Sequence, residues 1–99
     1  MDTYSQALHN YYKGIDPDSF EITRDDGFSS IVPLSDFFED CNFNEIELIA
    51  LDNCKGNVLD VGAGVGRHSL ELQRRKVEVT ANDVSEVAVN IMRQRDIKT

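Results

Sequence analysis

An α/β fold with parallel strands is the architecture predicted for this 99-residue chain, and three features predict it. Val58, Leu59 and Val61 form a short apolar run of the kind found in strands buried on both faces of a parallel sheet, broken only by Asp60. A second β-branched run, Val77 to Asp83, follows about one helix later. Each run is succeeded by a stretch free of Gly and Pro, Arg67 to Lys76 and Glu86 to Arg95. Strand, helix, strand, helix is the parallel crossover unit, and its connection is right-handed. Strands are therefore predicted over residues 57–61 and 77–83.

The elements before that unit are legible in order. Tyr4, Ala7, Leu8, Tyr11 and Tyr12 recur on one helical face, Thr3 and Gln6 have the spacing of a capping box, and Gly14 ends the helix. The tyrosine stripe reads as a packing face rather than a pocket lining, with a lid over a ligand as its alternative role. Ile15 to Ser19 is a turn or linker, because Pro17 pushes Asp16 out of helical geometry. Phe20 to Arg24 and Phe28 to Val32 are β-prone runs joined through Asp25-Asp26-Gly27, a hairpin signal. The paired carboxylates at Asp25 and Asp26 are explained by turn chemistry before catalysis or metal binding. Pro33 stops the second run, and Ser35 to Asp40 reads as a short helical turn carrying Phe37 and Phe38. Asn44 caps a further helix, with Glu47 three residues on and Ile46, Ile49 and Ala50 as its expected buried face. Ser85 caps the last helix, whose expected core residues are Val87, Ala88, Ile91 and Met92. Two units are thus expected: an extension over 1–43 and a strand-helix-strand-helix unit over 44–99.

Composition narrows the function classes. The formal net charge is −8, and it is uneven: residues 1–54 carry net −10, residues 55–99 net +2. Acidic surface repels phosphates, so nucleic-acid binding has no support from charge. No apolar run approaches the ~20 residues of a membrane span, and Met1-Asp2 does not begin a secretory signal, so a cytoplasmic protein is expected. Cys41 and Cys54 lack metal-ligand spacing, and His9 and His68 are too few to complete a zinc site.

Chemistry concentrates in Asp60-Val61-Gly62-Ala63-Gly64-Val65-Gly66. Glycines at alternate positions between a strand and a helix N-terminus let the backbone turn sharply and approach a ligand closely. A nicotinamide fingerprint, Gly-x-Gly-x-x-Gly, does not fit, because Gly66 comes one residue early and Arg67 stands where the last glycine belongs. The pattern Asp60-x-Gly62-x-Gly64-x-Gly66, with Asp83 closing the next strand, resembles instead the first motif of class I S-adenosylmethionine-dependent methyltransferases. Asp83-Val84-Ser85 resembles their acidic second motif. Arg67-His68-Ser69-Leu70, Asp25-Asp26-Gly27 and Met92-Arg93-Gln94-Arg95-Asp96 are further similar to a bacterial and archaeal subset acting on small molecules. The clear match spans residues 44–99.

The resemblance implies a Rossmann-like three-layer α/β sandwich, present only in part, and S-adenosyl-L-methionine as cofactor. It assigns cofactor contacts to Asp60, Gly62, Ala63, Gly64, Gly66, Asp83 and Val84. Gly62 and Gly64 would lie along the methionine and ribose portions, Asp83 would accept from both ribose hydroxyls, and Val84 would pack on adenine. Asp60 has two open roles: a partner for the cofactor's amino group, or an anchor for the loop's own amides. His68 is read as a packing or surface residue rather than a base. The methyl acceptor is unidentified, a small molecule rather than nucleic acid, and no residue here is assignable as catalytic. Since the family's sheet has seven strands, the chain is expected to be the N-terminal part of a methyltransferase, inactive alone. In that sheet another strand pairs with the outer edge of 57–61, so self-association through this edge, or its pairing with the hairpin, is expected. The competing readings are a non-catalytic binding or assembly module and, less favoured by the glycine spacing, an NAD-type domain.

Overall fold

The computed structural model describes residues 2–15, 19–39 and 41–99; the predicted linker's Asp16, Pro17 and Asp18 lie outside the described residues. In chain order the elements are α1 (Thr3–Tyr12), β1 (Ser19–Thr23), β2 (Ser29–Pro33), α2 (Ser35–Phe38), α3 (Glu45–Asp52), β3 (Asn57–Val61), α4 (Arg67–Arg74), β4 (Glu78–Asn82) and α5 (Glu86–Gln94). The α/β class and its parallel pair are as expected.

Local chemistry accounts for most boundaries. Asn44 and Glu47 complete a reciprocal capping box at the start of α3, and the Ser85 side chain accepts from Ala88 N at the start of α5. At α1 the cap lies one residue earlier than expected: Asp2 accepts from Ser5 N at 2.7 Å, so Thr3 is already helical. An Asp carboxylate three residues before the amide it caps competes successfully with a hydroxyl for the same role. In the hairpin, Asp26 accepts from Phe28 N at 3.0 Å and pairs with Arg24, while Gly27 takes φ +88°. Asp26 therefore serves the turn.

The two sheets stay separate. β1 and β2 pair antiparallel, and β3 pairs with β4 in parallel, Val58 opposite Val79 and Asp60 opposite Ala81. The hairpin does not extend β3, contrary to one of the two expectations for its free edge.

Helices cover one face of the parallel pair. Alternation places Val58, Asp60, Val79 and Ala81 on that face; Val58 and Val79 pack with Leu51 and Leu72, and Ala81 with Met92 and Ile97. Leu59 and Val61 point the other way and remain 60% and 71% exposed. The apolar run in β3 thus belongs to a strand buried on one side only, not on both as its sequence predicts. α3 also differs from expectation. Its buried residue is Leu51, whereas Ile46 and Ile49 are exposed, because the helix lies along the flank of β3 and touches the core with its C-terminal turn.

The third cluster joins the extension to the rest. Ala7 and Leu8 of α1 meet Ala88 and Ile91 of α5, with Leu34 and Val65 between them. The tyrosine stripe is largely a packing face. Tyr4 contacts Phe20 and Phe37 edge-on, and Tyr11 and Tyr12 lie against Phe38, with ring centroids 5.0 and 6.0 Å away.

Candidate functional site

The glycine loop leaves β3 and enters α4 at the C-terminal end of the parallel pair, the end where open α/β sheets bind ligands. Gly62, Gly64 and Gly66 all adopt positive φ, +68°, +62° and +89°, which side chains disfavour. Their surroundings differ. A Cβ on Gly62 would meet nothing within 4 Å, and one on Gly64 only the Tyr4 hydroxyl at 3.5 Å. A Cβ on Gly66 would stand 2.2 Å from Ile97 Cδ1. The backbone's close approach at Gly66 is therefore to the chain's own core, Gly64 lies beside Tyr4, and Gly62 borders open space.

Hydrogen bonds hold the loop in this shape. Ala63 N donates to Asn82 O at 2.8 Å, prolonging the parallel ladder by one bond, and Gly66 N donates to Ala63 O at 3.0 Å. Val65, 2% exposed, plugs the loop into the cluster around Leu8 and Ile91. Arg95 Nη1 donates to Val65 O at 2.7 Å, tying the loop to the end of α5.

The two acids predicted for the site occupy different settings. Asp83 accepts from Gly64 N and from Ser85 N, each at 2.9 Å, one on either oxygen. It locks the loop after β4 to the loop after β3. A carboxylate offers about four acceptor sites, so two are left for a ligand. Asp60 accepts from the hydroxyl of the fully buried Ser69 at 2.7 Å. Its partner is a side chain of α4 rather than the loop amides, so the acid braces the helix that the loop leads into. Val84 is fully exposed beside Asp83. It borders a cleft of about 400 Å³ between the N-termini of α1 and α5, lined also by Asp2, Ser5, Ser85 and Glu86.

Residues 58–98 match the methyltransferase domain family. The fold extends the likeness beyond them. A crystal structure of an S-adenosylmethionine-dependent methyltransferase from Bacteroides fragilis, in complex with S-adenosyl-L-homocysteine, superposes with TM-score 0.81 and 32% identity. That match covers 98% of this chain and 40% of the other, so the chain spans about two fifths of the length of the methyltransferase it resembles. Comparison with curated proteins finds no match. The residues that match the family include both acids, the glycine loop and all of β4 and α5.

His68 lies outside the loop's open side. Its Nε2 sits 2.6 Å from Glu47 Oε2 and its ring centroid 5.8 Å from that of Phe43, so it joins α4 to α3. Arg67 pairs with the same carboxylate, donates to Asn42 O at 2.8 Å and stacks over Phe43 at 4.6 Å. The Arg67 hydrogen bond, with smaller help from His68 and the capped Asn44 amide, holds Glu47 down at about 2, against an ordinary 4.5.

Three residues beside the loop carry no signal in the sequence pattern that located it. Tyr4 reaches it from 60 residues upstream; burial first, and then the Asp83 charge, raise the phenol above its ordinary value. Ser69 could be found only as a buried hydroxyl within one helical turn of the loop. Ser5 is an unremarkable helical serine until α1 docks. A largely apolar cavity of about 360 Å³ on the flank of β3, bordered by Leu51, Cys54, Val58 and Leu72, is closed on its polar side by Glu47, His68 and Asp60. Among the described residues no helix is long and apolar enough to cross a membrane.

Proposed function

We propose that this chain binds S-adenosyl-L-methionine at the C-terminal ends of β3 and β4 and serves methyl transfer to an acceptor as the cofactor-binding part of a methyltransferase. The observation that carries this reading is the Gly64–Asp83 bond. It turns two separate sequence motifs into one surface that has open space at Gly62 and unused acceptor capacity on Asp83.

In this reading Gly62, Ala63 and Gly64 present backbone to the methionine and ribose portions, where a Cβ would intrude. Asp83 accepts from the ribose hydroxyls while keeping its two amide donors, each charge-assisted bond contributing about 1.5–3 kcal/mol. The exposed Val84 gives adenine an apolar surface. Asp60 sets the pitch of α4 through Ser69, and its charge favours the cationic methionine end. Gly66 acts through packing against Ile97. The cofactor supplies an electrophilic sulfonium methyl with a good leaving group. The protein's part is then to hold donor and acceptor in line and to exclude water.

The acceptor is a small molecule in this reading, since the acidic N-terminal half disfavours nucleic acid. We further propose a cytoplasmic setting, and self-association through the unpaired edge of β3. A second reading, a binding or assembly module without catalysis, is favoured by one observation. Leu59, Val61, Ile46 and Ile49 together leave a large apolar flank exposed.

Titration calorimetry with S-adenosylmethionine and S-adenosylhomocysteine separates the two. Binding by the unmutated chain that falls at least about 100-fold in Asp83→Ala supports the cofactor site. Absence of binding by the unmutated chain favours the module.

A further inference from the structure

The Ser5 and Ser85 hydroxyls lie 2.6 Å apart across 80 residues of sequence, and both residues are buried, 4% and 9% exposed. A side-chain bond of this kind between helices is costly to leave half-made, because the remaining hydroxyl is largely withdrawn from solvent. Its position gives it further reach. The Ser85 hydroxyl also accepts from Ala88 N at 3.2 Å, capping α5, while Ser85 N donates to Asp83 Oδ1. Asp83 in turn accepts from Gly64 N through its other oxygen. Ser5, Ser85, Asp83 and Gly64 therefore form one continuous chain of hydrogen bonds running from α1 through the acidic loop to the glycine loop.

We propose that Ser5 is a positioning residue for the Asp83 carboxylate, acting through Ser85, so that docking of α1 fixes the geometry of the glycine loop. The geometry leaves Ser85 few alternatives. With its hydroxyl engaged by Ala88 N and Ser5 Oγ, its main-chain amide is held toward Asp83. Loss of Ser5 Oγ frees the Ser85 side chain to turn, which loosens the cap and the Asp83–Gly64 bond together. Ser5 makes no hydrogen bond to the loop itself and acts on it through Ser85. Its consequence for cofactor binding rests on the cofactor reading above; the coupling within the protein does not.

Residue-resolved amide hydrogen exchange on the cofactor-free chain tests the coupling. Ser5→Ala keeps α1 helical, since alanine has the higher helix propensity. It is expected to speed exchange at the Gly64 and Ser85 amides about tenfold. In an Asp83→Ala background the same substitution should leave the Gly64 rate unchanged, because its acceptor is already gone. Unchanged Gly64 protection in Ser5→Ala overturns the proposal; so does an equal acceleration in both backgrounds, which marks Ser5 as structural only. Calorimetry on Ser5→Ala should further show S-adenosylhomocysteine affinity weakened about tenfold. If the unmutated chain binds no S-adenosylhomocysteine while the exchange pattern holds, the cofactor reading fails and the positioning role stands.

Discussion

The two sides of β3 form opposite kinds of surface. At its C-terminal end, backbone polar groups find partners within the chain: Ala63 with Asn82, Gly64 with Asp83, Gly66 with Ala63, Val65 with Arg95. Along its outer flank, Leu59, Val61 and the α3 residues Ile46 and Ile49 leave apolar surface in water. The loop's own backbone bonds are self-sufficient, closing within residues 58–98, the stretch that matches the methyltransferase domain family, while α1 bears on them from outside through Ser5 and Ser85. The flank is not, because an edge strand and an uncovered sheet face are satisfied only by further structure. A ligand site and an assembly surface can therefore be tested independently.

The largest effect should come from Gly66→Ala, which attacks the self-sufficient side. Its Cβ would stand 2.2 Å from Ile97 Cδ1 at φ +89°, inside a buried cluster. Overpacking and a positive φ together should cost about 2–4 kcal/mol, read as a drop in the urea midpoint. Gly62→Ala, with the same kind of φ but open space, should cost only about 1 kcal/mol. Equal losses at the two positions would erase the distinction drawn between a glycine packed against the core and one that borders open space.

Glu47 lies between the two regions, and its effect should be intermediate. Glu47→Gln replaces the carboxylate shared by Arg67 and His68 with a neutral amide, so stability should fall by about 1–3 kcal/mol at neutral pH. The pH dependence has a definite sign. A carboxyl held at about 2 in the fold, against an ordinary 4.5, adds stability that is fully present above 4.5 and is lost as pH falls towards 2. The denaturation midpoint of the unmutated chain should decline across that window, and that of Glu47→Gln should decline less.

The smallest effect on stability belongs to the flank. Leu59→Ser with Val61→Ser should change folding free energy by only about 0.5 kcal/mol, since both side chains are largely in water already. It should nevertheless shift the chain towards monomer in sedimentation velocity, if the flank mediates self-association. A chain that is monomeric at all concentrations before substitution would remove that role from the flank.

Much of the fold was legible because its signals are short-ranged. The Asp-Gly turn, the Asn44–Glu47 box, the Ser85 cap and the bounds of β3 depend on residues a few positions apart, so no distant contact is needed to read them. The spacing of Asp60, Gly62, Gly64 and Asp83 likewise marked both loops of the site. The exceptions have physical causes. Asp2 displaced Thr3 as the cap of α1 because a carboxylate and a hydroxyl one residue apart compete for similar amides. Ile46 and Ile49 have the apolarity of a buried face, yet α3 meets the core through Leu51 instead. Gly66 belongs to the motif by spacing, but its tight contact is with Ile97, 31 residues later.

By itself, then, the sequence determined the order of elements, the parallel crossover and the chemistry concentrated at the glycine loop, because periodicity, caps and positive-φ positions are local demands on the backbone. Only the tertiary structure decided which glycine borders open space and which the core, which side of β3 is covered, and that Ser5 reaches Asp83 through Ser85. Those outcomes depend on how helices dock across the sheet, and docking joins residues that no sequence spacing brings together.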